Sequence, residues 1–220
     1  MQLQLPQLWL LDLRPLMQDE RWRAFLPELP IERQTRARSC RREEDAARLT
    51  GAGFLLQQAL LSLNIPVSEQ IFRKNDWGKP YLASHAVEFS LTHASYYAAC
   101  ALDASSVGVD LEAPRITLAV AKRYFHPQEI AFLETLSEPE QPDALLRLWT
   151  IKEAYTKQLG CGLHIPLDSF YADLHESEAN LYQDSRPIPV RLHEYPLNGL
   201  RLCLCSNSER PEITQFIPNL

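Results

Sequence analysis

The order of secondary-structure patterns along the chain is the feature that most limits its fold. A long helical pattern covers residues 32–63, and three short strand-like segments follow between residues 87 and 112. Helical patterns return over residues 118–160, and strand-like segments return over residues 169–206. Helices and strands that alternate in two similar blocks predict an α+β fold.

Each block is long enough to form a small domain of its own. The chain has 220 residues, which suits two halves of about 100 residues each. We therefore expect a pseudo-dimer of two α+β halves, each with a small antiparallel sheet packed on helices. The predicted boundary divides the chain into residues 1–105 and 106–220. The three segments between residues 87 and 112 look like one antiparallel meander.

The overall composition excludes several classes of protein. The hydrophobic fraction of 45% and the charged fraction of 23% are typical of soluble globular proteins. A net charge of −6 argues against binding to nucleic acid or to an anionic membrane, so an anionic ligand needs a local cluster of cations.

No apolar run approaches the ~20 residues that span a bilayer, and the run Leu8-Trp9-Leu10-Leu11 lacks a basic leader. A cytoplasmic protein with five free cysteines is the expectation.

The segment GVDLE over residues 108–112 is the first with chemical meaning. Side chains on a strand alternate between two faces, so Val107, Val109 and Leu111 share one face. Gly108, Asp110 and Glu112 share the other face, where the two carboxylates repel each other. A divalent cation would relieve that repulsion, and oxygen ligands with room for water suit magnesium better than zinc. The alternative is an edge strand with two solvated acids.

The segment WTIKEAYTK over residues 149–157 lies on the last long helical pattern. Leu148, Ile151, Tyr155 and Leu159 have helical spacing and predict the packing stripe. Glu153 and Lys157 are four residues apart and share another face, with Lys152 beside them. The alternative is an ordinary surface ion pair, which contributes little. Near the Asp110 and Glu112 face, these side chains would complete a site for a metal-bound pyrophosphate.

Together the two segments resemble the signature of the 4′-phosphopantetheinyl transferases, in the branch whose members are monomers of two similar halves and activate surfactin synthetase. Four more segments resemble motifs of that family in the same order: REEDAAR (42–48), WGKPY (77–81), FSLTHA (89–94) and RYFHPQE (123–129). The resemblance covers about residues 33–170. Ser90, Thr92 and Ala94 depart from the Asn, Ser and Ser that are usual there, although Thr92 keeps a hydroxyl.

The resemblance implies a set of functional residues. The magnesium ligands would be Asp110, Glu112 and Glu153, and Asp110 would also belong to the coenzyme A site. Lys152 and Lys157 would contact the coenzyme A phosphates, and His93 with Thr92 would receive the 3′-phosphate. Lys79 and the backbone at Gly78 would hold the adenine end, while Arg33, Arg36 and Arg48 would add phosphate contacts.

The implied reaction moves the phosphopantetheine arm of coenzyme A onto a serine of an acyl or peptidyl carrier protein. The serine hydroxyl attacks the β-phosphorus and 3′,5′-ADP leaves, with Lys157 stabilising the departing phosphate. Glu153 and Glu129 are the two candidates for the base that accepts the serine proton. A different magnesium-dependent phosphoryl or nucleotidyl transferase and a non-catalytic binding module are the alternatives.

Overall fold

The structure is a computed structural model that describes residues 5–175 and 178–218. Its helices are α1 Arg14–Met17, α2 Trp22–Phe25, α3 Ile31–Arg38, α4 Glu43–Ser62, α5 Leu118–Tyr124, α6 Pro127–Thr135 and α7 Gln141–Leu159. Its strands are β1 Gln7–Asp12, β2 Phe72–Lys74, β3 Pro80–Leu82, β4 Glu88–Ala94, β5 Tyr97–Asp103, β6 Gly108–Glu112, β7 Tyr171–Asp173, β8 Asn180–Gln183, β9 Arg186–Pro187, β10 Arg191–Leu197, β11 Leu200–Ser206 and β12 Ile213–Phe216. The expected α+β class is confirmed.

The N-terminal half is a four-stranded sheet with α4 packed on it. Strand order is β12-β1-β5-β4, with β1 antiparallel to β5 and β5 antiparallel to β4. Because β12 pairs with β1 in parallel, the sheet is mixed rather than purely antiparallel as expected. Gly51 lies where α4 passes the end of β1, since a Cβ there would meet Leu13 Cδ2 at 2.3 Å. The long helical pattern over residues 32–63 is two helices, α3 and α4, separated by residues 39–42.

The C-terminal half repeats this arrangement with a three-stranded sheet. Strand order is β10-β11-β6, all antiparallel, and the long helix α7 packs on it. Gly108 allows the close packing of β6 on α7, because a Cβ at Gly108 would lie 1.9 Å from the carbonyl oxygen of Ala154. Gly160 ends α7 with a φ of 75°, a left-handed conformation that glycine adopts without strain.

The expected three-strand meander is wrong in one respect. Strands β4 and β5 pair as predicted, but β6 leaves them and joins β11 in the other sheet. Edge strand β4 nevertheless contacts edge strand β6 through side chains. The Val109 amide donates to Ser90 Oγ at 3.0 Å, and the Leu111 amide donates to Thr92 Oγ1 at 3.2 Å. Two hydroxyls of β4 thus satisfy backbone donors of β6 and join the two halves.

Other expectations from the sequence concern the surface and the thiols. Among the described residues, no helix combines the length and the apolar character needed to cross a bilayer. All five cysteines are free, as predicted. The predicted boundary at residue 105 falls between β5 and β6, whereas β12 returns to the N-terminal sheet.

Candidate active site

A cavity of about 600 Å³ lies where the two halves meet. Helix α3, the loop before β3 and strand β4 line it from the N-terminal half, and β6 and α7 line it from the C-terminal half. It brings together most of the predicted site residues, namely Arg33, Arg36, Lys79, Thr92, His93, Asp110, Glu112, Glu153 and Lys157. Carboxylates and cations from both halves therefore face one space.

Each of the two carboxylates on β6 accepts hydrogen bonds through one of its two oxygens. Asp110, only 3% exposed, uses Oδ1 to accept from Lys157 Nζ at 2.6 Å and from Thr92 Oγ1 at 3.2 Å. Glu112 uses Oε1 to accept from Arg115 at 2.6 Å. Their other oxygens, Asp110 Oδ2 and Glu112 Oε2, are buried and have no hydrogen-bond partner among the residues that the structure describes. A buried carboxylate oxygen without a partner is costly, so an external cation or donor would stabilise both.

Burial and neighbouring carboxylates raise the pKa values of Glu112 and Glu153. Burial and then the charge of Asp110 raise the pKa of Glu112. Burial and then Asp110 also raise the pKa of Glu153, with a further contribution from Glu112. Lys157 works against the shift in both groups but does not cancel it. This mutual repulsion is what a bound divalent cation relieves.

The donor set fits magnesium. All candidate ligands are carboxylate oxygens, which is the chemistry that magnesium prefers, and two of these oxygens are unpartnered. Within residues 5–175 and 178–218, however, no three acidic, histidine or cysteine side chains converge as a preformed metal cluster. Magnesium commonly binds through one or two carboxylates together with substrate phosphates and water, so a preformed three-ligand cluster is not required.

Of the basic residues that line the cavity, Arg33 and Lys79 are partly buried, whereas Arg36 and His93 are exposed. Burial and then the neighbouring Arg36 lower the pKa of Arg33, and burial lowers the pKa of Lys79. Desolvation and then the charge of Lys157 lower the pKa of His93. Lys79 Nζ donates to the carbonyl oxygen of Val107 at 3.0 Å. Cations held in partial burial favour an anionic ligand, which would restore the interactions that water no longer supplies.

Lys152, which was expected to contact the coenzyme A phosphates, lies in the core and outside the cavity lining. Its side chain is 0% exposed, and Nζ lies 2.8 Å from Glu129 and 2.8 Å from the carbonyl oxygen of Phe170. Nζ also lies 4.2 Å from the centroid of the Phe170 ring. The reason is helical geometry, since Lys152 lies four residues after Leu148 and three before Tyr155, on the buried stripe of α7.

Glu129, the second candidate for the base, lies in the core with Lys152. Its carboxylate has no exposed surface, and it accepts from the amides of His126 at 3.0 Å and Ala172 at 2.9 Å as well as from Lys152. Burial raises the pKa of Glu129 and lowers that of Lys152, although the charge of each opposes the other's shift. The pair joins α6, α7 and β7 inside the core and lies outside the cavity lining.

Two further predicted ligands have other partners. Thr92 is 6% exposed, and its one hydroxyl proton is directed at Asp110, so Thr92 holds a carboxylate rather than a phosphate. Arg48 lies outside the cavity lining, where its guanidinium donates to Asp45 at 2.6 Å and to the carbonyl oxygen of Ser95 at 2.9 Å. Its charge still contributes to lowering the pKa of His93.

The sequence interpretation missed Arg115, Trp77 and Trp149 as cavity residues. Arg115 follows β6 and pairs with Glu112 three residues earlier, a spacing that could have indicated the contact. Trp77 precedes Gly78, stands 55% exposed and packs against His164 with ring centroids 4.7 Å apart. Trp149 lies four residues before Glu153 and eight before Lys157, so helical spacing places all three on the cavity face of α7.

Comparisons with known proteins agree with this geometry. The model of the 4′-phosphopantetheinyl transferase superfamily matches residues 106–205, which contain β6 and α7. The chain is 31% identical over 199 residues to 4′-phosphopantetheinyl transferase Sfp of Bacillus subtilis strain 168, covering 88% of each chain. It is 30% identical over 211 residues to 4′-phosphopantetheinyl transferase ffp of Bacillus subtilis, covering 93% of this chain and 92% of that one.

A third relative has the same name and a similar level of identity. The chain is 32% identical over 166 residues to 4′-phosphopantetheinyl transferase gsp of Aneurinibacillus migulanus, covering 74% of this chain and 70% of that one. These matches run through both halves, as the six motifs do, and they confirm the resemblance inferred from the sequence. With carboxylates of β6 and α7 facing cations of both halves across one cavity, the chain belongs to the 4′-phosphopantetheinyl transferase superfamily.

Proposed function

We propose that this chain transfers the 4′-phosphopantetheine arm of coenzyme A to a serine of an acyl or peptidyl carrier protein, with magnesium bound at Asp110, Glu112 and Glu153. One observation carries the proposal: a single cavity holds three carboxylates and several partly buried cations, contributed by both halves. A pyrophosphate needs both kinds of group, because its own charge must be shared between a metal and cationic side chains.

The residues present would hold magnesium through the unpartnered oxygens of Asp110 and Glu112, with Glu153 facing the same space. When bound, the metal supplies Lewis-acid stabilisation of the charge on the pyrophosphate. Lys157 extends from α7 into the cavity and donates to Asp110 Oδ1, whereas the metal would bind Oδ2. Its positive charge would add to that of the metal near the pyrophosphate. The proposal includes a metal because these two buried oxygens accept no hydrogen bond from the described part of the chain.

The cations of the N-terminal half suit the nucleotide end of coenzyme A. Arg33 and Arg36 on α3 and His93 on β4 line the cavity and offer donors to the 3′-phosphate. Lys79 and Gly78 line the same cavity, and Lys79 with the backbone around Gly78 would hold the adenine end. Arg48 would act indirectly, by adding positive potential near His93.

Glu153 is the better base for the serine hydroxyl. It lines the cavity, whereas Glu129 is sealed in the core by Lys152 and two backbone amides. Burial and Asp110 raise the pKa of Glu153 in the metal-free protein, and bound magnesium would lower it again, so the position of Glu153 and not its pKa supports the choice. In the step, the serine oxygen bonds to the β-phosphorus, the bond to 3′,5′-ADP breaks and the serine proton goes to Glu153.

We also infer that the chain acts as a monomer in the cytoplasm and meets its carrier protein transiently. Both halves of the cavity come from one chain, so no second copy is needed to complete it. The net charge of −6 gives no general attraction to nucleic acid or anionic membranes.

Intact-mass spectrometry tests the reaction. An apo carrier protein is incubated with the chain, coenzyme A and magnesium, with EDTA in a parallel sample and Glu153→Gln as the variant. We expect the mass of one phosphopantetheine to be added to the carrier, with loss of the addition in EDTA and in the variant. No addition to fatty-acid or peptide-synthetase carriers, with coenzyme A still bound, would indicate a binding module instead.

A further inference from the structure

Two cationic side chains form ion pairs with carboxylates of the proposed metal site. Lys157 Nζ lies 2.6 Å from Asp110 Oδ1, and Arg115 lies 2.6 Å from Glu112 Oε1. The three carboxylates exceed these two cations by one negative charge. An incoming divalent cation changes that excess to one positive charge, which attracts a pyrophosphate.

Arg115 differs from Lys157 in how firmly it is held. The Arg115 side chain is 69% exposed, whereas that of Lys157 is 30% exposed and also donates to the carbonyl oxygen of Val109 at 3.2 Å. Among the described contacts, Arg115 has Glu112 as its single ion-pair partner. Its exposed guanidinium can therefore leave Glu112 and move within the cavity when another cation replaces it, because the Glu112 side chain is 12% exposed and its carboxylate needs a partner.

We propose that Arg115 couples the binding of magnesium to the binding of coenzyme A. Without ligands, the guanidinium competes with a metal for Glu112. With the metal on Glu112, the released guanidinium is repelled by it and is free to pair with an anionic oxygen of the pyrophosphate. Each ligand then binds more tightly in the presence of the other, beyond their direct attraction. This inference rests on the proposed function, since it assumes a metal and a pyrophosphate in this cavity.

The position of Arg115 would let its guanidinium move from Glu112 to a pyrophosphate bound in the cavity. Arg115 lines the same cavity as Glu153 and Lys157, so a ligand there lies within its range. Arginine pairs with phosphate oxygens through two parallel donors, which compensates for leaving a carboxylate. Coupling between two ligands is reciprocal, so the same factor must appear in the metal affinity and in the coenzyme A affinity.

The test is a binding cycle that needs no turnover. Mn²⁺ serves as a visible substitute for magnesium, and its binding is measured by electron paramagnetic resonance with and without coenzyme A. Coenzyme A binding is measured by calorimetry with and without Mn²⁺. The chain is compared with Arg115→Ala and with Arg123→Ala, which removes an exposed cation on α5 that lies over Tyr124.

In Arg115→Ala, we expect Mn²⁺ alone to bind roughly three- to tenfold more tightly, the range set by partly exposed charge pairs. The coupling factor should fall by a similar amount, while Arg123→Ala should match the parent chain. Unchanged coupling in Arg115→Ala, or weaker Mn²⁺ binding without coenzyme A, would overturn the inference while leaving the transfer reaction intact. Absence of Mn²⁺ binding in the parent chain, with and without coenzyme A, would overturn the metal site together with the inference.

Discussion

The hydroxyl of Thr92 on β4 donates to Asp110 Oδ1 on β6 at 3.2 Å, so a residue of the N-terminal half orients a carboxylate of the C-terminal half. The Thr92 Oγ1 atom also accepts a hydrogen bond from the Leu111 amide at 3.2 Å, which ties the two strands together. Two edge strands of different sheets are thereby joined at the cavity itself. The position of the metal-site carboxylate thus depends on how the two halves fit together.

Replacing Thr92 by Val removes both hydrogen bonds without a large change in volume. The Leu111 amide is left buried without an acceptor, which should lower the free energy of unfolding by about 1–3 kcal/mol in urea titrations. Transfer should require more magnesium, because Asp110 loses one of its two side-chain donors. Thr92→Ser keeps the hydroxyl and serves as the matched control, so equal losses in both variants would contradict the assigned role.

Breaking the buried pair of Lys152 and Glu129 should affect stability first. Lys152→Met leaves the Glu129 carboxylate buried without its cation and should cost about 3–5 kcal/mol in the free energy of unfolding. The double variant Lys152→Met with Glu129→Gln removes both charges and should recover at least half of that loss. Urea titrations measure both effects.

The same double variant separates a core role from a phosphate contact. If Lys152 lies in the core, the refolded double variant should bind coenzyme A about as well as the parent chain. A large increase in the KM for coenzyme A, in a double variant of restored stability, would instead return Lys152 to the phosphate site.

Glu153→Gln should stabilise the metal-free protein at neutral pH. The pKa of Glu153 is raised in the folded state, so its protonated form is favoured there and folding stability falls as the pH rises through the folded pKa. The stability gained by the variant should therefore be small at pH 4, below the ordinary value of 4.5, and larger at pH 7. Thermal unfolding in EDTA at several pH values measures it, with the exposed Glu138→Gln as the control for loss of a surface charge. A gain independent of pH would contradict the prediction.

Gly108→Ala should separate β6 from α7. The added Cβ would meet backbone atoms, Ala154 O at 1.9 Å and Gln158 N at 2.3 Å, which cannot move without shifting the helix. We expect a loss of about 3 kcal/mol or more in the free energy of unfolding and loss of transfer. Gly51→Ala is the matched control, because its Cβ meets the end of the Leu13 side chain at 2.3 Å and a side chain can rotate away. Equal losses in the two variants would show that backbone contact at Gly108 is not the cause.

Sequence patterns correctly predicted the strand faces and helix ends that are set by residues close together in the chain. The alternation at residues 107–112 gave the correct faces, since Val109 and Leu111 are buried in the core and Asp110 lines the cavity. The proline after His126 and Gly160 marked real helix ends, because both act through the geometry of one turn.

Features that depend on distant parts of the chain could not be predicted. Strand β6 pairs with β11 because a free edge is available there, and nothing within residues 87–112 encodes that choice. Lys152 was predicted to lie in the site because it adjoins Glu153 in sequence. A step of one residue turns a helix by about 100°, and the spacing from Leu148 and Tyr155 already placed Lys152 on the buried stripe.

Strand β12 pairs with β1 in parallel, from Leu8 with Ile213 to Leu11 with Phe216. During synthesis, β1 therefore cannot pair with β12 until residues 213–216 have been made. Until then the β1 edge carries unpaired backbone groups beside the apolar side chains of Trp9 and Leu11, a surface that other chains can pair with. The N-terminal sheet therefore includes a strand from the C-terminal end of the chain. Because the ribosome makes the N-terminal half first, that half completes its sheet only after the C-terminal half has been synthesised.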